Sequence, residues 1–280
     1  MTDTSPSSPP TAVPASERAA PVHPGPAAVP ARPEKVIVVM PAYNAALTLE
    51  KTYREIPKGS YDAIILVDDA SKDDTVRIAR ELNLIVEVHP VNKGYGGNQK
   101  TCYSRALREG ADIVVMLHPD NQYDPSIVPD LVAPIAAGEA DVVLASRMLG
   151  HPLKGGMPLY KFIANKWLTF VENLVLGTGF SEFHTGYRAF SRKALQSVNF
   201  FSNSDDFVFD NEILVQLHIE GMRIKEIPVT TRYAHDSSSV GFARSCVYGL
   251  GILRTLVKYL LHVKGIRPEP MFEGSRSLKT

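Results

Sequence analysis

Apolar positions in residues 34–145 follow two alternating patterns: short β-branched runs, and longer segments with apolar residues on one helical face. The first run, 36–40, is apolar throughout, which is typical of a parallel strand covered on both faces. The alternation predicts an α/β fold with a mainly parallel sheet flanked by helices. Predicted strands are Val36–Met40, Ala63–Val67, Ile85–His89, Ile113–Leu117 and Asp141–Ala145; predicted helices are Leu47–Ile56, Thr75–Leu82, Gln99–Glu109 and Ile127–Ala137.

Composition divides the chain into three parts. Residues 1–33 are rich in Pro, Ala and Ser, so burial cannot offset the entropy cost of ordering them, and we predict a disordered tail. Residues 34–235 form the predicted catalytic domain, and residues 236–280 an amphipathic helix and tail. We expect no signal peptide and no run of about 18 charge-poor apolar residues, which favours a soluble or peripheral protein.

Net charge and cysteine content limit the ligands and the cellular compartment that we expect. Lys and Arg total 30, as do Asp and Glu, so the net charge is zero and gives no reason to expect nucleic-acid binding. Cys102 and Cys246 are far apart and lack metal-ligand spacing. This usage fits a reducing compartment, and the cytoplasmic side of the cell is therefore expected.

Polar residues follow each predicted strand, where sheets of this kind bind ligands. Acids after the second strand can accept hydrogen bonds from a nucleobase or ribose, whereas Ser71, Asp73 and Asp74 suit capping of the next helix. Three glycines in residues 92–97 can expose backbone N–H groups to a diphosphate, or form a plain turn. The candidate binding residues from these loops are Pro41, Tyr43, Asn44, Asp68, Asp69, Lys93, Gly94, His118, Asp120 and Gln122.

Asp120 lies three residues beyond the buried strand 113–117, which supports a metal site. Such a carboxylate can hold Mg²⁺ or Mn²⁺, which neutralises a departing diphosphate. His118 is either a second metal ligand or a hydrogen-bond partner of the phosphate. Alternatively, Asp120 only begins the turn that leads to Asp124 and Pro125.

Five ordered motifs together resemble family-2 glycosyltransferases, especially the dolichyl-phosphate mannose synthase branch. They are VVMPAYN at 38–44, LVDDASKD at 66–73, NKGYGG at 92–97, the acidic motif ending at Asp120, and TGYRAF at 185–190. The resemblance spans roughly residues 35–240 and implies an inverting enzyme of GT-A fold with a GDP- or UDP-sugar donor and a divalent cation. His118 departs from the family, which usually has the first aspartate of Asp-x-Asp there.

The resemblance also implies residue roles. Pro41, Tyr43 and Asn44 would line the nucleotide pocket, Asp69 would contact the base or ribose, and Gln122 would lie beside the diphosphate. Phosphate-binding arginines are implied at Arg147, Arg188 and Arg232. Arginine suits this role because it forms bidentate bonds with phosphate and keeps its charge, although each can instead be a surface ion-pair partner.

Two acidic residues and two apolar segments bear on the identity of the sugar acceptor. Asp210 and Glu212 are candidate general bases, or simply acids in the first turn of a helix. A phosphate acceptor is already an anion and needs no base. Residues 159–174 and 242–263 have helical apolar spacing that suits a membrane surface, or packing within the domain or a dimer.

We therefore predict transfer of mannose or glucose to a polyprenyl phosphate at the cytoplasmic membrane face. Alternatives are a soluble saccharide, protein or metabolite acceptor, a sugar-1-phosphate nucleotidyltransferase, and a non-catalytic scaffold.

Overall fold

The computed structural model describes Met1 and residues 34–232 and 242–273. The predicted disordered tail therefore lies outside the described residues, apart from Met1. The strands are β1 (Val36–Ala42), β2 (Ala63–Asp68), β3 (Ile85–Val88), β4 (Ile113–Met116), β5 (Val142–Ser146), β6 (Arg188–Ser191) and β7 (Ile224–Pro228). The helices are α1 (Leu49–Glu55), α2 (Thr75–Glu81), α3 (Gly94–Arg108), α4 (Val128–Ala136), α5 (Leu159–Leu176), α6 (Arg192–Ser197), α7 (Phe209–Ile219) and α8 (Phe242–Val263).

Within the described residues these strands form one sheet in the order β3-β2-β1-β4-β6-β5-β7. β1 lies between β2 and β4 and is parallel to both. β6 is antiparallel to its neighbours β4 and β5, and β7 is parallel to β5. The predicted α/β class and mainly parallel sheet are confirmed.

Alternate residues of the central strands enter two separate cores, one on each face of the sheet. Ile37 and Val39 belong to the core shared with α3, α7 and α8, whereas Val38 and Met40 belong to the core shared with α1, α2 and α4. All seven residues of β1 are buried. This two-sided burial explains the uninterrupted apolar run of the sequence.

The pattern did not predict β6 or β7. β6 is four residues long and begins with a charged residue, while Lys225 and Glu226 interrupt the apolar pattern of β7. β6 forms by pairing with both β4 and β5, and β7 by pairing with β5, so both strands depend on tertiary contacts.

α3 begins five residues before its predicted start. Its first glycines lack side chains, so the backbone near Asp205 can pack directly against them. The Asp205 carbonyl accepts the N–H groups of Gly96 and Gly97 at 2.8 and 3.3 Å. A Cβ on Gly94 would lie 2.6 Å from the same carbonyl oxygen, and Gly94 has a φ of +84°. The glycines thus allow residues 203–206, which lead into α7, to pack on the start of α3.

The amphipathic segments at 159–174 and 242–263 are confirmed as helices α5 and α8. One expectation is wrong: Arg244–Val263 is long and apolar enough to cross a membrane by length and composition. After Arg244, its only Lys or Arg residues are Arg254 and Lys258. α8 nevertheless buries Ile252 and Leu256 in the core shared with α7.

Substituting Gly96 by Ala tests the close packing between α3 and residues 203–206. The new Cβ would lie 2.8 Å from Cβ of Phe209 and 3.0 Å from the Asp205 carbonyl carbon. We expect the free energy of unfolding in urea to fall by about 1–3 kcal/mol, as in other overpacked sites. Gly179→Ala is the control, because Gly179 has nothing within 4 Å of its built Cβ. Equal stability of the two variants would contradict the packing argument.

Candidate active site

Loops that follow β1, β2, β4 and β5 lie along one edge of the sheet, here called the carboxyl edge. The first two loops are joined by side chains. Asn44, with φ +51°, accepts the Lys72 N–H at 2.9 Å and donates its own N–H to Ser71 Oγ at 2.8 Å. Asp73 accepts the Ala46 N–H at 3.0 Å, so its role extends beyond the expected capping of α2. Pro41 is buried in β1, while Tyr43 is 53% exposed and offers a free ring.

The two acids after β2 have different surroundings. Asp69 is buried and accepts the N–H groups of Lys93 and Gly94 at 2.8 and 3.0 Å, and its Oδ1 lies 2.7 Å from Nδ1 of His89. Its carboxylate holds the start of α3, which does not fit the expected contact with base or ribose. Asp68 accepts the Ser71 N–H through Oδ2, but its buried Oδ1 has no partner among the described residues. Asp68, rather than Asp69, therefore has a carboxylate oxygen that can accept a hydrogen bond from a ligand.

The glycine-rich loop does not form the expected diphosphate cradle. The N–H groups of Lys93 and Gly94 are donated to Asp69, and those of Gly96 and Gly97 to the Asp205 carbonyl. These groups satisfy the orphan donors of a helix start internally. The exposed side chain of Lys93 remains from this loop as a group that can meet an anion.

Tyr95, in the same loop, links the metal candidate His118 to the base candidate Asp210. Its hydroxyl donates to Asp210 Oδ2 at 2.6 Å and lies 3.1 Å from Nε2 of His118. The rings of Tyr95 and His118 stack at 5.3 Å. Burial and the Asp210 carboxylate raise the pKa of Tyr95 well above its usual value, so the phenol stays protonated.

Gly186 makes room for this chain of hydrogen bonds. A Cβ there would lie 2.9 Å from Nε2 of His118 and 3.0 Å from the Tyr95 hydroxyl. The glycine of the TGYRAF motif is therefore explained by the approach of two side chains rather than by its own backbone angle.

Arg188, predicted to hold phosphate, is fully buried instead. It donates Nε to the Thr185 carbonyl at 2.6 Å, Nη1 to the Asp210 carbonyl at 2.6 Å, and Nη2 to the Phe183 carbonyl at 3.0 Å. Nη1 also lies 3.6 Å from Asp210 Oδ1. A guanidinium with these partners cannot bind a ligand phosphate without leaving backbone acceptors unpaired. Its position makes it a support beneath the site.

The other predicted arginines lie nearer the surface and are paired with acids. Arg147 binds Glu182 through Nε at 2.8 Å and through Nη2, and donates to the His184 carbonyl. Burial raises the pKa of Glu182, but Arg147 and Asn165 hold it below its usual range. Arg232 is 48% exposed, contacts Glu55 at 2.7 Å, and donates its backbone N–H to the Gln122 carbonyl. Arg232 is thus beside the predicted metal loop.

Asp120 and Gln122 form a tight turn at the end of β4. Asp120 Oδ1 accepts the Gln122 N–H at 3.0 Å, and Asn121 has a φ of +55°. No three His, Cys, Asp or Glu side chains of the described residues group to hold a metal by themselves. A cation at Asp120 and His118 would therefore need further ligands from substrate phosphates and water, as Mg²⁺ commonly takes.

The two candidate general bases, Asp210 and Glu212, face different parts of the protein. Asp210 faces the carboxyl edge, but both its oxygens accept hydrogen bonds, from Tyr95 and from Gln99 Nε2 at 3.1 Å. Glu212 turns away and accepts the Ser204 N–H at 2.6 Å. Burial raises the pKa of Glu212, partly opposed by that N–H and by Lys258. Only Asp210 is joined to His118 through hydrogen bonds.

Residues 37–198 match the family described as Glycosyl transferase family 2. The chain belongs to this family. It is a glycosyltransferase, and the sheet with its edge loops is the GT-A fold that the motifs predicted.

Relatives of this glycosyltransferase include enzymes named for dolichyl phosphate and polyprenol, and a solved structure of similar fold contains phosphoglyceric acid. UDP-N-acetylglucosamine–dolichyl-phosphate N-acetylglucosaminyltransferase of Methanococcus voltae is 29% identical over 74% of this chain and 89% of its own. Polyprenol monophosphomannose synthase of Mycolicibacterium smegmatis is 26% identical over 70% and 77%. Glucosyl-3-phosphoglycerate synthase of Mycobacterium tuberculosis, solved with Mn²⁺, UDP and phosphoglyceric acid, superposes with a TM-score of 0.63 at 20% identity over 81% and 78%.

Sequence reasoning missed several groups of this glycosyltransferase site. Tyr95 and Gly186 lay inside quoted motifs, yet their partners are 23 and 68 positions away, at His118. Glu182, the partner of Arg147, lies outside the quoted motifs and carried no signal of its own. A buried arginine is also indistinguishable from an exposed one in a single sequence.

The Arg188→Lys variant distinguishes a structural role of Arg188 from binding of a ligand phosphate. Lysine keeps the charge but cannot donate to three carbonyls in the fork geometry of arginine. We expect the free energy of unfolding to fall by about 3 kcal/mol or more, since buried acceptors lose their donors. Arg192→Lys is the control, because Arg192 is 31% exposed and pairs loosely with Asp112 at 3.6 Å. Unchanged stability combined with lost transfer would instead favour direct phosphate binding by Arg188.

Proposed function

We propose that the protein is an inverting glycosyltransferase that moves a hexose from a GDP- or UDP-sugar to a polyprenyl phosphate, using Mg²⁺ or Mn²⁺. We place it at the cytoplasmic face of a membrane as a peripheral protein. The names of the dolichyl-phosphate and polyprenol relatives support a lipid phosphate acceptor. The neighbours crystallised with Mn²⁺ or Mg²⁺ and UDP support the cation and the nucleotide.

The observation that carries the lipid acceptor is the inverted polarity of part of α5, which also packs Leu168, Val171 and Leu176 in the core. Its polar residues Asn165, Thr169 and Glu172 face the protein and are at most 8% exposed. Apolar residues face outward, with Ile163, Trp167, Phe170 and Leu174 between 55% and 73% exposed. A helix surface of this kind is stable against acyl chains rather than water.

α5 also connects this apolar face to the carboxyl edge. Asn165 donates to Glu182 at 2.8 Å, and the same carboxylate binds Arg147 at the end of β5. Farther along, Glu172 lies 3.1 Å from His184 Nε2 and accepts from Asn211, the residue next to Asp210. An acyl chain along α5 would therefore have its phosphate near the site.

α8 extends the same surface. Val247, Leu250 and Val257 are more than half exposed, with the exposed Arg254 between them. Gly249 packs against Leu168 of α5, and Gly251 against Val208. Because residues 248–259 of α8 pack against the domain, we infer that the helix lies in the membrane plane, where basic residues meet anionic headgroups.

The hydrogen bonds and orientation of the two predicted bases also agree with a phosphate acceptor. Both oxygens of Asp210 are engaged, and Glu212 faces away from His118. A polyprenyl phosphate is an anion near neutral pH and needs only to be placed in line with the departing diphosphate. In this proposal Asp210 positions neighbouring groups and removes no proton.

The donor would bind across the loops of the carboxyl edge. Asp68 Oδ1 is a buried acceptor suited to an N–H of the nucleobase, and the exposed Tyr43 ring suits stacking on it. Asp120 and His118 would hold the cation, whose charge offsets that of the departing diphosphate. Gln122, Lys93 and Arg232 would lie around the phosphates.

Transfer from radiolabelled GDP- and UDP-sugars to polyprenyl phosphate in detergent tests the reaction, with and without Mn²⁺. We expect a lipid-soluble, metal-dependent product, and we expect Asp120→Asn to lower the rate at least 100-fold because a cation ligand is weakened. Asp124→Asn is the control, since Asp124 only accepts the Ser126 N–H in the same loop and asparagine caps equally well. Hydrolysis without lipid product would redirect the search to soluble acceptors, such as the phosphoglyceric acid of the solved neighbour.

Trp167, the single tryptophan of the chain, reports on membrane contact directly. We expect its emission to shift to shorter wavelength with vesicles containing anionic lipid, because the indole leaves water. Phe170→Asp should abolish the shift and vesicle sedimentation. Val88→Asp on the edge strand β3 adds the same charge to another exposed apolar position and should change neither. Equal loss in both variants would argue against α5 as the contact.

A further inference from the structure

We propose that Tyr95 is a positioning residue that holds a proton on Nε2 of His118 and so leaves Nδ1 as the nitrogen for the divalent cation. This inference rests on the proposed function, because it concerns the cation assigned to Asp120 and His118. It decides between the two roles considered for His118, metal ligand and phosphate partner.

The argument begins with the single proton of the Tyr95 hydroxyl. Asp210 lies 2.6 Å from the hydroxyl, accepts Gln99 Nε2 at 3.1 Å, and has Arg188 Nη1 at 3.6 Å. Gln99 already donates to Oδ1, so the geometry leaves Oδ2 as the acceptor that faces the hydroxyl. Tyr95 therefore donates its proton to Asp210.

The other contact of the hydroxyl then assigns the histidine. His118 Nε2 lies 3.1 Å from the Tyr95 oxygen, and this hydrogen bond needs a proton from the imidazole. A neutral imidazole carries one N–H, so Nδ1 keeps its lone pair. A lone pair attracts a cation and repels phosphate oxygens, so the tautomer favours metal ligation.

Packing keeps the ring in this orientation. Turning the imidazole over would place a carbon opposite the Tyr95 oxygen and break the bond. The stacked Tyr95 ring lies at an interplanar angle of 16°, and the Gly186 backbone closes the space beside Nε2. Partners that orient a ligand histidine in this way commonly raise its basicity and its affinity for metal.

Two measurements on the full-length protein test the proposal. In metal-free protein with ¹⁵N-labelled histidine, at a pH where His118 is neutral, NMR should show the proton on Nε2. Tyr95→Phe should lose this preference and bind Mn²⁺, measured by EPR in the presence of UDP, about tenfold more weakly. Tyr103→Phe is the control, because it removes another buried hydroxyl of α3 that donates to Gln99 and not to His118.

A double variant separates positioning from general damage. In a His118→Ala background, Tyr95→Phe should cause no further loss of Mn²⁺ affinity, since no tautomer remains to be fixed. A proton on Nδ1 in the unsubstituted protein, or Mn²⁺ binding unchanged by Tyr95→Phe, would overturn the proposal. The NMR result stands even if Tyr95→Phe fails to fold. Neither readout uses a lipid, so absent lipid transfer would refute only the proposed acceptor.

Discussion

The buried guanidinium of Arg188 is the constraint around which this active site is arranged. A charge without solvent must have a counter-charge and a partner for each donor. Arg188 obtains them from Asp210 of α7 and from the carbonyls of Phe183, Thr185 and Asp210. These contacts fix α7 against the sheet, and Asp210 in turn fixes Tyr95 of α3. The hydrogen bond with Tyr95 then holds the ring of His118, whose backbone is placed at the carboxyl edge by β4.

Several motif residues serve this internal order rather than a ligand. Asp69 and the Asp205 carbonyl satisfy the N–H groups at the start of α3, and Gly94 and Gly96 allow the approach of residues 203–206. The site exposes few groups as a result. Those that remain available, at Asp68, Asp120 and the ring of Tyr43, lie on three separate loops and suit a ligand that spans the edge.

α5 likewise uses several polar residues for internal contacts, and apolar residues lie on its outer surface. Its inward side combines core contacts of Leu168, Val171 and Leu176 with polar contacts, in which Asn165 and Glu172 meet Glu182, Asn211 and His184. Those contacts connect the apolar outer face to both sides of the site. In the proposed function, this one helix would both contact the lipid surface and bring the acceptor phosphate near the site.

The sequence by itself determined the alternation of strands and helices, the parallel sheet, the family and the edge at which polar residues collect, because these depend on local periodicity and on what directly follows each strand. The structure alone decided which of two adjacent acids, Asp68 or Asp69, retains a free oxygen, and which arginine is buried. It also decided the strands β6 and β7, whose residues lack an apolar pattern: β6 pairs with β4 and β5, and β7 pairs with β5. Such outcomes depend on partners that are tens of residues away in the chain, and hydrogen-bond satisfaction in a buried site is a property of the assembled neighbours rather than of any one segment.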